Sequence, residues 1–466
     1  MKTKILKSFL SPKSIRFFSS PGANGSKKYY DVVCSGAGIV GQSFALALSN
    51  HSYFSEQSEN KILLLDLHKP KPMSLFNLDP SSEIESIIPD QRTFTLSHNS
   101  INFLKALGVL DKIEKQRMPA YYNMQVWETE GNSFIQFKED DNGIMGHTIE
   151  NSHLQSAVFS KISETDEHGD QKAKIDLDFG NQITQVDRLE GQGLLKLTFK
   201  DGSQVYTKLL VGSDGNKSAV KEKMGISTWG WSHKQKAIVC TVQSGVATHT
   251  LWQRFLEKGP MALLSMWGNY YSLIWTVDEN LYDYLMALDE LNFVDDLNNE
   301  LFESSKLKVP LVGDTQFSMP PLISRVCNKR LSFPLNNMNA SRYALDNLAL
   351  IGDAAHSIHP MAGQGLNLGL QDANLLANIV TSALHNGKNF SEYEVLRDYE
   401  IASKISNYGV QTGLEVIKEL YGSQFEPVKY LRNFGVSLLN NTPFKNGFKK
   451  IADGSSGMNG EYNWKR

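Results

Sequence analysis

Apolar runs that stop at glycine set the frame of this chain. Asp31 to Ser35 (DVVCS) reads as a short strand running into Gly36-Ala37-Gly38-Ile39-Val40-Gly41, and Phe44, Ala45 and Leu48 then mark one face of a helix. The run Lys61 to Asp66 (KILLLD) predicts the next strand, closed by a carboxylate. Leu348 to Ile351 predicts another. It ends at Gly352-Asp353, passes a glycine-rich turn with His359-Pro360, and enters an apolar-periodic helix at about Gly365. Elsewhere the period changes to two. Met124 to Phe137 and Ala237 to Val277 alternate aromatic and β-branched residues without βαβ punctuation, which predicts an inserted antiparallel sheet.

Leu194 to Phe199 and Val205 to Val211 form a hairpin about Asp201-Gly202. Its second strand leads into Gly212-Ser213-Asp214-Gly215, where a carboxylate in a turn before a helix suits N-terminal capping. Residues 67–90 are Pro- and Ser-rich and read as a loop. Arg92 then opens a helix with apolar positions Ile101, Leu104 and Leu107; it either reaches a ligand phosphate or is an ordinary surface arginine. Leu375 to Leu384 and Tyr393 to Val416 continue helically, and Leu431 to Ile451 is either a basic amphipathic segment on a membrane face or a plain helical cap. The fold class is therefore α/β. A Rossmann-like dinucleotide-binding domain (29–120, 148–228, 341–400) is interrupted by an antiparallel β-sheet substrate domain (121–147, 229–340) and followed by a C-terminal helical region (401–466).

Strand, G-x-G-x-x-G, helix, strand and acid form a dinucleotide fingerprint in its required context. Gly36 permits the tight turn, Gly38 lets backbone reach a pyrophosphate, and Gly41 allows close helix–strand packing. Asp66 accepts hydrogen bonds from an adenosine ribose; the polar run His51 to Asn60 lengthens its spacing from Gly41. At the other end, Asp353 is one carboxylate beside a turn in which Gly363-Gln364-Gly365 exposes bare backbone, and the helix start aims free N–H groups and a positive dipole end. A planar, polyhydroxylated ligand able to carry negative charge, such as a flavin, suits that arrangement. Trp252, Trp267, Tyr271 and Trp275 either line an apolar pocket or pack the inserted sheet. His356 and His359 form an H-x-x-H pair without a nearby third ligand, so no metal is expected.

Of 466 residues, 41% are hydrophobic and 21% charged, and the net charge of −3 argues against nucleic acid as the main partner. The amino end differs: Lys2, Lys4, Lys7, Lys13, Arg16, Lys27 and Lys28 precede the first acid, Asp31, among many serines. That composition reads as an organelle transit peptide over 1–28, with Arg16-Phe17-Phe18-Ser19 similar to a mitochondrial processing site, or else as a basic tail. Cys34, Cys240 and Cys327 lie far apart, which suggests neither a disulfide framework nor a thiolate metal site. No apolar run is long enough to span a membrane, so any membrane contact is peripheral.

Gly36-x-Gly38-x-x-Gly41, Asp214-Gly215 and Gly352-Asp353 occur in one order, and together they resemble the para-hydroxybenzoate-hydroxylase-like FAD monooxygenases. Within that class the run His359 to Asp372 (HPMAGQGLNLGLQD) resembles the signature of the ubiquinone-biosynthesis hydroxylases, with Arg92, Ser97, Ile149-Glu150-Asn151 and Gln253-Arg254-Phe255-Leu256 as supporting pieces. The resemblance implies FAD, with its pyrophosphate on Gly36, Gly38 and Gly41 and its ribose on Asp66. It further implies Arg92, Asp214, Gly352 and Asp353 around the cofactor, backbone N–H groups of Gly363, Gln364, Gly365, Leu366 and Asn367 at the flavin ring, and Pro360 beside the reactive edge. The implied reaction is hydroxylation of a polyprenylated 4-hydroxybenzoate-type ring by O₂ through a C4a-hydroperoxyflavin, which requires no protein nucleophile and no metal. A ferredoxin with its reductase as electron source, other ubiquinone-biosynthesis proteins as complex partners, and the matrix face of the inner mitochondrial membrane are implied likewise. The competing expectations are a flavin hydroxylase of another aromatic or isoprenoid substrate, a non-catalytic flavoprotein of a biosynthetic complex, and an NAD-dependent dehydrogenase.

Overall fold

The computed structural model describes residues 28–56, 61–73, 87–128, 134–138, 143–165, 172–302, 317–358, 363–422 and 462–465. The processing site at Arg16 to Ser19, Pro360, and the segment Leu431 to Ile451 lie outside the described residues. Lys28, the last residue of the expected transit segment, begins the first strand, Lys28–Ser35, and pairs with Asp176.

That strand is central to a parallel array. Gln204–Gly212 flanks it on one side and Ile62–Asp66 on the other; Leu348–Leu350 and Ile175–Phe179 extend the sheet outward, all in parallel. Parallel strands covered on both faces need near-continuous apolar sequence, and Val32, Val33, Cys34, Leu209, Leu210 and Val211 are all fully buried. The hairpin strands Ile183–Leu189 and Leu194–Phe199 add antiparallel pairs at Gln204–Gly212. Helices Ile39–Ser49, Asn151–Ile162 and Gln364–His385 contribute their apolar residues to the same core.

A second sheet runs in the order His356–Ser357, Leu331–Ala340, Thr228–Ser244, Tyr270–Asp278, Gly259–Ser265, Thr250–Leu256, Asn123–Glu128, Phe134–Lys138. It is antiparallel as expected, except that Thr250–Leu256 and Asn123–Glu128 pair in parallel. Strand alternation sorts its residues between two faces. Trp127, Trp252, Tyr271 and Trp275 share one apolar cluster with Phe293, Val294 and Leu297 of the covering helix Glu290–Phe302. Trp267 belongs to a separate small cluster with Met266 and Tyr270. Three of the four aromatic residues offered as a pocket lining are thus packing of the far face.

Two joints hold the sheets together. His356–Ser357, just past the Gly352-Asp353 turn of the first sheet, pairs with Met338 and Asn339 of the second. Helix Tyr393–Gly422 packs on the long helix Gln364–His385 and hydrogen-bonds to the second sheet, Gln411 with Asn339 at 2.9 Å and Glu415 with Asn337 at 2.8 Å. Arg92 does not open a helix. It precedes strand Thr93–Leu96 of a small three-stranded sheet, and Ser97 caps the helix that follows, His98–Ala106. The β-branched Thr93 and Thr95 favour that extended conformation.

Candidate functional site

Four strand ends line up in one row. In the parallel ladder Leu65 pairs with Ser35, Ser35 with Gly212, and Gly212 with Leu350. The loops that follow, carrying Asp66, Gly36 to Gly41, Asp214, and Gly352-Asp353, therefore leave the sheet along one carboxyl edge. In open parallel sheets ligands bind outside that edge. Segments more than three hundred positions apart are brought together by register alone.

At the first glycine loop a Cβ on Gly41 would stand 2.0 Å from the Gly36 carbonyl oxygen and 2.3 Å from Ser213 Oγ, so no larger residue fits. A Cβ on Gly38 would meet nothing within 4 Å, which leaves that backbone open toward the cleft. The loop is held from several sides. Ala37 N–H donates to Asp66 Oδ2 at 2.7 Å, and the Ala37 carbonyl accepts from Gln42 Nε2 at 2.6 Å and Gln155 Nε2 at 3.0 Å. Ser213 Oγ donates to the Gly36 carbonyl at 2.8 Å. Asp214 caps as its turn suggested: Oδ2 accepts from Ala219 N at 2.8 Å and Val220 N at 3.2 Å. Its Oδ1 is buried with no hydrogen-bond partner among the described residues, and burial raises the carboxyl pKa despite those bonds.

At the second turn Asp353 is open to solvent by surface area, yet surrounding protein raises its pKa. Both observations describe a carboxylate that solvent reaches although protein atoms crowd around it. The groups that counter the shift are His356, Arg92 and Lys221. Arg92 itself is exposed, and its loop is anchored from behind. The buried pair Arg117–Glu150, at 2.5 Å, positions Glu150 Oε1 to accept from Asp90 N at 2.7 Å, while the Arg92 carbonyl accepts from Asn151 N at 2.8 Å.

Beneath the turn lies Asp372, fully buried on helix Gln364–His385. Its Oδ2 accepts from Gly352 N at 3.0 Å and faces His356 Nε2 at 2.6 Å, and its Oδ1 accepts from Ser403 Oγ. No role was read for Asp372 in the sequence. The available signal was a carboxylate inside the apolar stripe Leu368, Leu375, Leu376 of an amphipathic helix.

Helix Gln364–His385 starts at Gly363, whose φ of 64° and ψ of 23° lie in the left-handed region that only glycine adopts cheaply. No side chain caps this end, so the first-turn backbone N–H groups, with the positive end of the helix dipole, are oriented outward from the helix start. Gln364 and Leu366 are buried, whereas a Cβ on Gly365 would meet nothing within 4 Å. The Asn367 side chain is engaged at both ends: Oδ1 accepts from Ser97 N at 3.0 Å and Ser100 Oγ at 2.7 Å, and Nδ2 donates to the Thr95 carbonyl at 2.9 Å. It ties the helix start to strand Thr93–Leu96.

The second sheet turns its other face to this helix start. Val126 and Phe255 pack with Leu368 and Val410, joined by Met124, Phe137 and Ile358. Tyr121, Met145, Leu251 and Leu264 continue the apolar surface. Among the described residues no cluster of metal-ligating side chains occurs.

Residues 83–399 match the family model described as FAD binding domain. The chain is 32% identical over 433 residues to the ubiquinone biosynthesis monooxygenase COQ6, mitochondrial, of Mus musculus, covering 88% of each protein. It is 31% identical over 456 residues to the protein of the same name from Xenopus tropicalis, covering 94% of this chain and 95% of that one. Among solved structures, p-nitrophenol 4-monooxygenase PnpA from Pseudomonas putida DLL-E4 superposes with a TM-score of 0.65 at 15% identity, over 91% of this chain and 99% of that one. PqsL, a probable FAD-dependent monooxygenase from Pseudomonas aeruginosa, superposes with a TM-score of 0.63 at 19% identity, over 88% and 99%. At such identities these two likenesses speak for the fold alone.

Proposed function

Because this chain belongs to the FAD-binding ubiquinone biosynthesis monooxygenases, we propose that the cleft along the Ser35–Gly212–Leu350 row holds the flavin of an aromatic-ring hydroxylase. The protein is an FAD-dependent monooxygenase of ubiquinone biosynthesis, and its substrate is a polyprenylated aromatic ring that is oxidised with O₂. The residues fit the cofactor. Open backbone at Gly38 and Gly365, a buried unpartnered oxygen on Asp214, and the solvent-reached Asp353 carboxylate offer the contacts a dinucleotide with a polyhydroxylated chain needs.

When bound, FAD supplies the reduction of O₂ that makes one oxygen atom transferable to an electron-rich ring. The chain does the rest. Gly36, Gly38 and Gly41 admit the pyrophosphate, Asp66 accepts from the adenosine ribose, and Asp353 accepts from the ribityl chain. Arg92 neutralises charge near Asp353. The N–H groups from Gly363 to Asn367, with Gly352 behind them, stabilise negative charge on the flavin ring through preorganised donors and the helix dipole. The apolar wall of Met124, Val126, Phe137 and Phe255 keeps water from the reacting atoms and receives the prenylated ring.

The observation that carries this reading is the contact of Val126 and Phe255 with Leu368, one residue beyond Asn367. It sets an apolar sheet face against the uncapped helix start. The finer reading is hydroxylation of a polyprenylated 4-hydroxybenzoate in mitochondria, at the matrix face of the inner membrane, with electrons from a ferredoxin and its reductase and with other ubiquinone-biosynthesis proteins as partners. Exposed Trp229 and Trp231, tilted toward each other with Tyr408 beside Trp229, support a peripheral membrane contact. Purified holoenzyme should show a two-band flavin spectrum and hydroxylate a prenylated 4-hydroxybenzoate only when a ferredoxin system is supplied. Normal ubiquinone in cells lacking the protein would overturn the reading.

A further inference from the structure

Strand Thr250–Leu256 sends alternate side chains to opposite faces of the second sheet. Trp252 packs in the far-side cluster, and the Arg254 guanidinium lies over the Trp127 ring of that cluster. Leu251 and Phe255 pack on the near side, with Leu264 and with Val126 and Leu368 respectively. Gln253 stands between Leu251 and Phe255 and so shares their face. Its ladder neighbours are Val126 on one side and Ala262 on the other, both part of the near-side apolar surface.

Gln253 is only 6% exposed; its amide makes no hydrogen bond among the described residues, and its polar atoms keep a little contact with solvent. A primary amide carries two donors and an acceptor, and burying it unpaired in apolar surroundings is unfavourable. Near-side neighbours Leu251, Phe255, Val126 and Ala262 bring no polar side chain to it. The arrangement makes sense when a ligand provides the partner.

We propose that the Gln253 amide binds the ring hydroxyl of the aromatic substrate and thereby sets which ring carbon faces the flavin; this rests on the ring-hydroxylase reading above. Nε2–H donates to a phenolate oxygen, or Oε1 accepts from a phenol O–H, so one side chain serves both protonation states. An amide does not titrate near neutral pH, so Gln253 is a binding residue and not the base that removes the phenol proton. The surrounding aliphatic wall takes the prenyl chain, and the Gln253 amide on it selects orientation. A site built to hydrogen-bond a hydroxyl discriminates strongly against the analogue that lacks it.

The test compares holoenzyme of the wild type, Gln253→Leu and Gln253→Met. Each is titrated with 3-farnesyl-4-hydroxybenzoate and with 3-farnesylbenzoate, which lacks the hydroxyl, while the bound-flavin absorption is followed. The variants should retain full FAD and melt no lower than the wild type. They should bind the hydroxylated probe about tenfold more weakly and the deoxy probe unchanged. Hydroxylated product should fall, with flavin oxidation diverted to hydrogen peroxide. Equal weakening toward both probes, or none toward either, would overturn the role of Gln253 alone. A flavin-loaded wild type that responds to neither probe would overturn the ring-hydroxylase reading and this inference with it. The two variants replace the amide with apolar side chains of different shape, so a packing defect in one is recognised by the other.

Discussion

His356 Nε2 lies 2.6 Å from Asp372 Oδ2, and neither side chain is more than 2% exposed. The same carboxylate accepts the Gly352 N–H and the Ser403 hydroxyl, so one residue ties the turn of the first sheet, the strand that joins the second, and two helices. Breaking a buried pair by changing one partner is expensive because the other is left unsatisfied. Asp372→Asn should lower stability by about 3 kcal/mol and weaken FAD retention. Urea denaturation and flavin release on gel filtration check both; unchanged flavin content would show that the turn does not depend on this clamp.

Asn367→Asp preserves shape while replacing the Nδ2 donor to the Thr95 carbonyl with an acceptor. A cost of about 2 kcal/mol is expected from the unsatisfied, opposed groups, read as a lower denaturation midpoint. Because this side chain is committed to Thr95, Ser97 and Ser100, Asn367→Ala should also destabilise flavin-free protein, which separates its role from ligand contact.

Asp353 has a raised pKa in the folded state, chiefly from burial. A raised carboxyl pKa means that folding favours the protonated form, so its contribution is present below the ordinary value of 3.8 and is lost as pH rises through the folded value. Asp353→Asn should therefore melt higher than wild type near neutral pH when free of flavin, with the difference shrinking toward pH 4. Its affinity for FAD should fall. Thermal melts of apoprotein across pH 4 to 7.5, beside a flavin titration, measure the two opposite effects.

His153 is fully buried, and burial, with help from Arg117, pushes its pKa down to about 3. Folding then favours the neutral imidazole, and the unfolded chain binds the extra proton below the ordinary value of 6.5. Stability should fall with acidification between those limits by about 1.4 kcal/mol per unit at most. In His153→Gln that limb should be flatter between pH 6 and 4. Equal slopes in wild type and variant would exclude His153 as its source.

Much of the glycine-loop geometry was legible because its requirements are local. Gly41 has no room for a Cβ against Gly36, and Gly363 sits at a positive φ; such demands select glycine at fixed spacings that a reader can find. Arg92 was misplaced because the helical pattern of Ile101 and Leu104 was extended back across Thr93–Leu96, where β-branched residues and pairing with Gly146–Glu150 hold a strand. The aromatic residues were ambiguous for a different reason. Period two says that Trp252 and Gln253 face opposite ways, but not which way leads to the helix start.

The sequence by itself determined the chemical parts: the glycine loops, the carboxylates Asp66 and Asp353, the parallel strands, and the family they mark. These depend on interactions within a few residues, where backbone geometry and side-chain size leave little choice. Tertiary structure decided what each part faces. Ladder register aligned Ser35, Gly212 and Leu350; the covering helix Glu290–Phe302 made one sheet face core; and the contact of Phe255 with Leu368 turned the other toward the start of helix Gln364–His385. The opening pattern of apolar runs ending in glycine thus marks where the loops of the carboxyl edge begin. Only packing between distant segments brings them into one cleft.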